Sequence, residues 1–255
     1  MERLRGQWPF TASVSVPDSV RGAELEISFG ARDQGALEQI ERSFAQFTTA
    51  AAAGMFAGDA VPPAESLFRV DGQERRGLAI THRCTVRGID RGAFRVLLNV
   101  VAEVSRRGGA IETVTIWGGT AGRQDSDLGE ILDRRYPGRA KRVPFEMELS
   151  EFFYENREPL IRMELQRQPS DDEFERIKAT MEAWDHILMF GGYLDLDDRD
   201  GDILPEPGEF VLAEPLVIEH LIYAYQGPPE SFNAVINMAV RFHESGCRLS
   251  VLGIE

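Results

Sequence analysis

The most conspicuous candidates for chemistry are the carboxylates of an acidic stretch near residue 200. Residues 195–202 read DLDDRDGD, and a glutamate follows shortly after them. Carboxylate oxygens are the preferred ligands of calcium, and they also attract basic protein surfaces. The stretch therefore raises two hypotheses, a cation site and a partner-binding surface, and both use the same six side chains: Asp195, Asp197, Asp198, Asp200, Asp202 and Glu206.

The spacing of these carboxylates decides between the two hypotheses. An EF-hand loop needs oxygen ligands at its first, third, fifth and twelfth positions and a glycine at its sixth. With Gly201 at the sixth position, Asp198 and Asp200 fall correctly, but Leu196 and Pro207 occupy the first and twelfth. Because both outer ligands are missing, we predict no metal site here and assign the six acidic residues to partner binding.

Two histidines, His82 and His220, form a second candidate, because they occupy equivalent positions in two similar stretches of the chain. Two imidazoles that meet at a pseudo-twofold axis could bind a metal or exchange a proton. Each lies among apolar residues, however, where a hydrogen-bonded core histidine is the commoner outcome. For His186, near a predicted helix end, we expect a favourable charge interaction with the helix terminus.

Catalytic and cofactor signatures are missing from the sequence. The nucleophile motif G-x-S-x-G does not occur, and neither do the dinucleotide motif G-x-G-x-x-G and the phosphate-binding motif G-x-x-x-x-G-K-[ST]. The two cysteines, Cys84 and Cys247, have no ligand spacing, which favours reduced thiols in a core. We therefore predict no catalytic residue and no cofactor.

The histidine positions belong to an internal repeat. A shift of 138 residues aligns the stretch 77–117 with 215–255, pairing His82 with His220 and Asn99 with Asn237. The apolar pattern agrees along most of both stretches, which indicates a duplication. We expect the two asparagines to anchor a strand end or a loop carbonyl.

Each repeat has the same predicted order of elements. Alternating residues predict strands that begin after Pro9-Phe10 and after Pro144-Phe145. Further strands and two amphipathic helices complete each copy, and Asp33 and Ser170 are expected to cap the first helix of their copies. The order βαββαβ with an extra leading strand predicts an α+β fold of two ferredoxin-like repeats. We expect a pseudo-symmetric unit with antiparallel sheets, in which open sheet faces meet or edge strands pair.

The predicted domains are residues 1–117 for the first repeat, 118–143 for a linker and 144–255 for the second repeat. The open face of the second repeat would carry Tyr223 and Tyr225, which we expect to be buried between the repeats. Aromatics on such a face also suggest base stacking, but the local negative charge argues against a nucleic-acid partner.

Charge differs sharply between the two halves. Residues 1–143 carry 20 Lys and Arg against 18 Asp and Glu, whereas residues 144–255 carry 8 against 24. Their net charges are therefore +2 and −16, within a total of −14. A field of this size repels nucleic acid and anionic lipid, and it steers basic partners.

These observations predict a non-catalytic protein that binds a basic protein partner through an acidic surface. In its most concrete form it is a bacterial immunity protein that neutralises a toxin such as a nuclease. Without an apolar signal core or a membrane-length apolar run, we expect a cytoplasmic protein with no membrane partner. The sequence leaves open a small-molecule or metal-dependent enzyme or sensor with its site near His82 and His220, and also a subunit of a larger assembly. It does not fix the oligomeric state.

Overall fold

The structure is a computed structural model that describes residues 8–16, 22–57, 68–89, 92–118, 143–150, 158–194, 206–223 and 230–255. It contains two five-stranded sheets and four helices in a pseudo-duplicated arrangement. None of the described helices is long and apolar enough to cross a membrane. The predicted linker lies outside the described residues except at its two ends, Gly118 and Val143.

The first half contains five strands and two helices. The strands are β1 (Thr11–Ser15), β2 (Ala23–Ala31), β3 (Phe68–Arg76), β4 (Ala79–Val86) and β5 (Ile111–Gly118). Helix α1 (Gln34–Ala52) follows β2, and helix α2 (Gly92–Arg106) follows β4. The sheet order is β1-β5-β2-β4-β3, in which β1 runs parallel to β5 and the other neighbours are antiparallel.

The second half repeats this order. Its strands are β6 (Glu146–Leu149), β7 (Leu160–Leu165), β8 (Glu206–Glu214), β9 (Val217–Tyr223) and β10 (Leu249–Ile254), and its helices are α3 (Asp171–Met189) and α4 (Glu230–Glu244). The sheet order is β6-β10-β7-β9-β8, with the same pattern of parallel and antiparallel pairs. The duplication that the sequence pattern predicts is therefore present in the topology.

The predicted helix starts are also present. Asp33 accepts a hydrogen bond from the Ala36 amide at 2.7 Å, which satisfies one of the free amides of the first turn of α1. Ser170 and Glu173 form the reciprocal capping box at the start of α3, with distances of 2.9 and 3.3 Å. Strands β3 and β8 each span nine residues and pair with the strand that follows them.

The core lies between the two sheets, where all four helices are sandwiched. Helix α2 is buried along almost its whole length, because it packs on its own sheet and against the other half. Asn99 in α2 donates to the carbonyls of Gly192 and Leu194 at 2.8 and 3.0 Å. Asn237 in α4 donates to the carbonyl of Met55 at 3.1 Å. The two asparagines therefore anchor loop carbonyls, as expected, and each one joins its own half to the other.

This packing differs from the predicted contact between the halves. Within the described residues, no strand of one sheet pairs with a strand of the other, and helix residues from each half bond to the other half. The helices explain this arrangement, because a helix such as α2 is apolar on the side facing its own sheet and on the opposite side as well. Such a helix must pack against a partner on both sides. The outer faces of both sheets are consequently directed away from the core.

Candidate partner-binding face

The predicted partner-binding residues lie mostly beyond the described part of the chain. Asp195, Asp197, Asp198, Asp200 and Asp202 are outside the described residues. Glu206 is the first residue of β8, where its backbone pairs with Tyr223 of β9. The acidic stretch therefore leads directly into β8, the edge strand of the second sheet.

The second sheet carries an excess of carboxylates within its strands. Its five strands contain one arginine, Arg162, against seven glutamates. Six of these glutamates belong to the outer face, because the register alternates them with buried residues such as Met163, Ile218 and Leu252. The six are Glu146, Glu148, Glu164, Glu209, Glu214 and Glu219.

These glutamates form rows across the sheet. One row contains Glu148 in β6, Arg162 in β7 and Glu219 in β9, and another contains Glu164 flanked by Val251 and Val217. Adjacent strands are about 4.8 Å apart, so carboxylates two strands apart are separated by about 10 Å. Arg162 bonds to Glu164 at 3.0 Å and is the cross-strand neighbour of Glu219, and it is the one arginine in the five strands. The face is a fixed array of negative charge with aliphatic side chains between the charges.

The corresponding face of the first sheet has a different character. The five strands of that sheet contain four arginines and five acidic residues. Its outer face also carries hydroxyl groups, including Ser28 and Thr81, which are hydrogen-bonded to each other at 2.9 Å. The two sheets share one topology, so the acidity of the second sheet is not required by the fold.

Tyr223 lies on this acidic outer face, which corrects the prediction that it is buried between the repeats. Its hydroxyl donates to Glu209 at 3.3 Å. Partial desolvation and the nearby Glu209 carboxylate raise the pKa of the tyrosine above its usual value. Tyr225 lies outside the described residues.

His220 has a structural partner that the sequence analysis missed. Its Nε2 lies 2.8 Å from the Asp185 carboxylate, and the other oxygen of Asp185 accepts from the Gly208 amide at 3.2 Å. His220 and Asp185 are both buried, so each provides the other with a hydrogen-bond partner in the core, while His220 Nδ1 is buried without one among the described residues. A usable signal was present in the sequence, since Asp185 stands four residues after Met181 on the apolar face of its helix, where a carboxylate needs a partner.

His82 occupies the equivalent position in the first sheet but has no such partner. Both of its ring nitrogens are buried without a hydrogen bond, and the Phe44 ring lies 4.4 Å away. Burial lowers the pKa of His82 to about 4, so the ring is neutral at pH 7. Neither histidine contacts the other, and the described residues contain no group of three potential metal ligands.

His186 also differs from expectation. Its Nε2 lies 3.0 Å from the Ser43 hydroxyl, and its ring stacks on Phe190 with centroids 4.2 Å apart. Burial, reinforced by the charge of Arg107, lowers the pKa of His186 to about 4. The predicted charge interaction with the helix terminus is therefore wrong, because the imidazole is neutral at pH 7.

Comparison with known proteins places the chain in no family. No family model matches it, and no curated protein matches it either. Among solved structures, a mutant of the ferredoxin protease FusC in complex with Arabidopsis ferredoxin aligns at 8% identity with a TM-score of 0.21. That alignment covers 92% of this chain and 34% of the FusC chain. A conserved protein from Enterococcus faecalis V583 aligns at 7% identity with a TM-score of 0.19, covering 83% and 72% of the two chains.

Proposed function

We propose that this protein is a non-catalytic binding protein that captures a basic protein partner through the acidic outer face of its second sheet. The observation that supports this proposal is the contrast between the two sheets. They have the same strand order, yet one has seven glutamates and a single arginine in its strands, and the other is nearly balanced. We include in the proposed partner-binding surface the acidic residues that precede β8 in the sequence and its first residue: Asp195, Asp197, Asp198, Asp200, Asp202 and Glu206.

The most concrete form of the proposal is a bacterial immunity protein that acts in the cytoplasm and neutralises a toxin such as a nuclease. The active surface of a nuclease is basic because it must bind phosphates. An array of carboxylates can occupy the phosphate positions, and its field accelerates the encounter of the two proteins. Aliphatic residues between the glutamates, such as Val211, which is 38% exposed, would supply apolar area that a stable complex also needs.

We also propose that each half is a ferredoxin-like repeat with an added leading strand. Without β1 and β6, both sheets have the order fourth, first, third, second strand, and all neighbours are antiparallel. That order is the one produced by two interleaved βαβ units. The added strand then pairs in parallel with the last strand of each repeat.

The alternative function, a small-molecule or metal-dependent enzyme or sensor near His82 and His220, has weaker support. His220 is fully buried and bonded to Asp185, and His82 is enclosed by Phe29 and Phe44. If that alternative were correct, replacing both histidines would abolish ligand binding and leave the fold intact.

The proposal is tested by affinity capture from the lysate of the native host. The immobilised wild-type protein is compared with the variant Glu148→Gln/Glu219→Gln and with the loop variant Asp198→Lys/Asp200→Lys. The matched control is Glu24→Gln/Glu26→Gln, which removes the same charge from the outer face of the first sheet. We expect the wild type and control to retain the same basic protein and both test variants to lose it.

Repeating the capture at increasing salt concentration shows whether binding depends on charge. The captured protein should be released as ionic strength increases, because exposed charges are screened beyond about 10 Å at 0.1 M salt. Equal capture by the control and by both test variants would contradict the proposed face.

A further inference from the structure

A groove with a different chemistry opens at the junction of the two halves. It has a volume of about 460 Å³, within the range of about 300–1,000 Å³ that is typical of small-molecule sites. Helix α1 supplies one wall, and the ends of α2 and α3 supply the other. The lining residues are Gln39, Arg42, Ser43, Ala45, Gln46, Arg107, His186 and Phe190.

The charge of the groove is opposite to that of the whole protein. Two guanidinium groups line it, from Arg42 and Arg107, and none of its lining residues is acidic. Arg107 is held in place, since its Nε bonds to Glu103 at 3.0 Å and its Nη2 donates to the Met189 carbonyl at 2.6 Å. Its guanidinium also lies 4.3 Å from the centre of the Phe190 ring. Arg42 is exposed and forms no ion pair with any described residue.

The remaining polar groups are neutral hydrogen-bonding groups. Gln39, Ser43 and Gln46 stand at spacings of four and three along α1, which places them on one face of the helix. His186 is neutral at pH 7 and is held by Ser43 and by stacking on Phe190. The groove therefore combines the charge of Arg42, unpaired within the described residues, and the Glu103-bonded guanidinium of Arg107 with amide and hydroxyl groups and an aromatic edge.

The duplication shows that the fold does not require this chemistry. A shift of 137 residues aligns α1 with α3, so Arg42 corresponds to Ala179 and Gln46 to Ala183. The same shift aligns Thr49 with His186 and Ala53 with Phe190. By contrast, the asparagines that join the halves are present in both copies. Arg42 and Gln46 therefore have no counterpart of the same chemistry in the second copy, although His186 and Arg107 also hold the halves together through Ser43 and the Met189 carbonyl.

We propose that this groove binds a phosphate monoester of nucleotide size, such as a nucleoside monophosphate. A phosphate monoester carries about two negative charges at pH 7 and can accept charge-assisted hydrogen bonds from Arg42, which has no ion pair with a described residue, and from the guanidinium of Arg107. The groove is larger than a phosphate group alone, and the amides of Gln39 and Gln46 offer both donors and acceptors to the organic part. This site is independent of the acidic face, so it adds a small-molecule ligand to the proposed protein partner.

Isothermal titration calorimetry with the four nucleoside monophosphates AMP, GMP, CMP and UMP tests this proposal, with inorganic phosphate as a reference. The test variants are Arg42→Gln, which removes an exposed and unpaired charge, and Gln46→Ala. The matched control is Arg32→Gln, because Arg32 is an exposed arginine beside the start of α1 that bonds to Glu112 and lies outside the groove. Circular dichroism and thermal unfolding would verify that each variant is folded.

We expect at least one of the four nucleotides to bind the wild type more tightly than inorganic phosphate does. Arg42→Gln should weaken that binding about tenfold or more, because it removes a charge-assisted hydrogen bond, and Arg32→Gln should leave it unchanged. Absence of binding for all four nucleotides at millimolar concentration would overturn the proposal. Equal binding by wild type and Arg42→Gln, or no preference over inorganic phosphate, would overturn it as well. Capture of the protein partner should be unaffected by Arg42→Gln, so failure of either proposal can be recognised separately.

Discussion

Replacement of His82 by leucine should make the protein more resistant to acid. His82 is 5% exposed, its ring nitrogens have no hydrogen bond, and the Phe29 and Phe44 rings lie 6.1 and 4.4 Å from it. Protonation of the ring in this surrounding would bury an unpaired positive charge. The folded protein therefore holds the imidazole in its neutral form.

The size of the effect follows from the pKa. Burial lowers the pKa of His82 from 6.5 to about 4 in the folded state. Well above pH 6.5 the His82 ring is neutral in both the folded and the unfolded state, so its contribution to stability does not depend on pH. As pH falls from 6.5 towards 4, the unfolded state gains a proton that the folded state does not, so stability is lost. Between pH 7.5 and pH 4.5 the loss is about 2.5 kcal/mol.

Urea unfolding at these two pH values measures the effect. At each pH, the free energy of unfolding of the wild type is subtracted from that of His82→Leu. This difference should be about 2.5 kcal/mol larger at pH 4.5 than at pH 7.5. The other titrating groups are common to both proteins and cancel in this difference. The control Ile80→Val, on the same face of β4, should differ from wild type by the same amount at both pH values. A His82→Leu difference that does not change with pH would refute the reasoning.

Three further predictions concern the contacts of the core. His220→Leu should destabilise the protein by about 3–5 kcal/mol in urea unfolding, because it leaves the Asp185 carboxylate buried without its partner, and adding Asp185→Leu should restore part of the loss. Asn99→Ala and Asn237→Ala should each lower the free energy of unfolding by about 1–3 kcal/mol in the same assay, because each removes a hydrogen bond between the halves and leaves a buried carbonyl without its donor. An unchanged free energy of unfolding would show that these bonds do not hold the two halves together. Gly208→Ala should lower the melting temperature, because its Cβ would lie 2.5 Å from His220 Cε1, whereas the control Gly72→Ala meets no atom nearer than 3.9 Å. Equal melting temperatures for these two glycine variants would contradict the close packing of β8 on His220.

The local signals of the sequence were sufficient to predict most elements of the fold. The alternation of Leu25, Ile27 and Phe29 with more polar residues is typical of a half-buried strand, and these three side chains are buried in β2. The caps at Asp33 and Ser170 were also predictable, because a cap depends on residues within one helical turn. The duplication could be read from spacing alone, since both copies retain the same apolar pattern.

The contact between the halves could not be predicted from these signals. Helix α2 has an apolar stripe that faces its sheet and further apolar residues on its other side, but a sequence does not say what covers them. The Asp185 and His220 pair joins residues 35 positions apart, on different elements, so no local spacing reveals it. The groove is also non-local, because Arg42, Arg107 and His186 come from three helices or their ends.

The association rate of the captured basic protein tests the central claim most directly. Stopped-flow fluorescence would compare the wild type, Glu148→Gln/Glu219→Gln and the control Glu24→Gln/Glu26→Gln from low to high salt. The account predicts that the wild-type and control rates fall about tenfold or more as salt increases, and that the test variant associates more slowly and depends less on salt. Equal rates and equal salt dependence for all three proteins would contradict the assignment of partner binding to the acidic face.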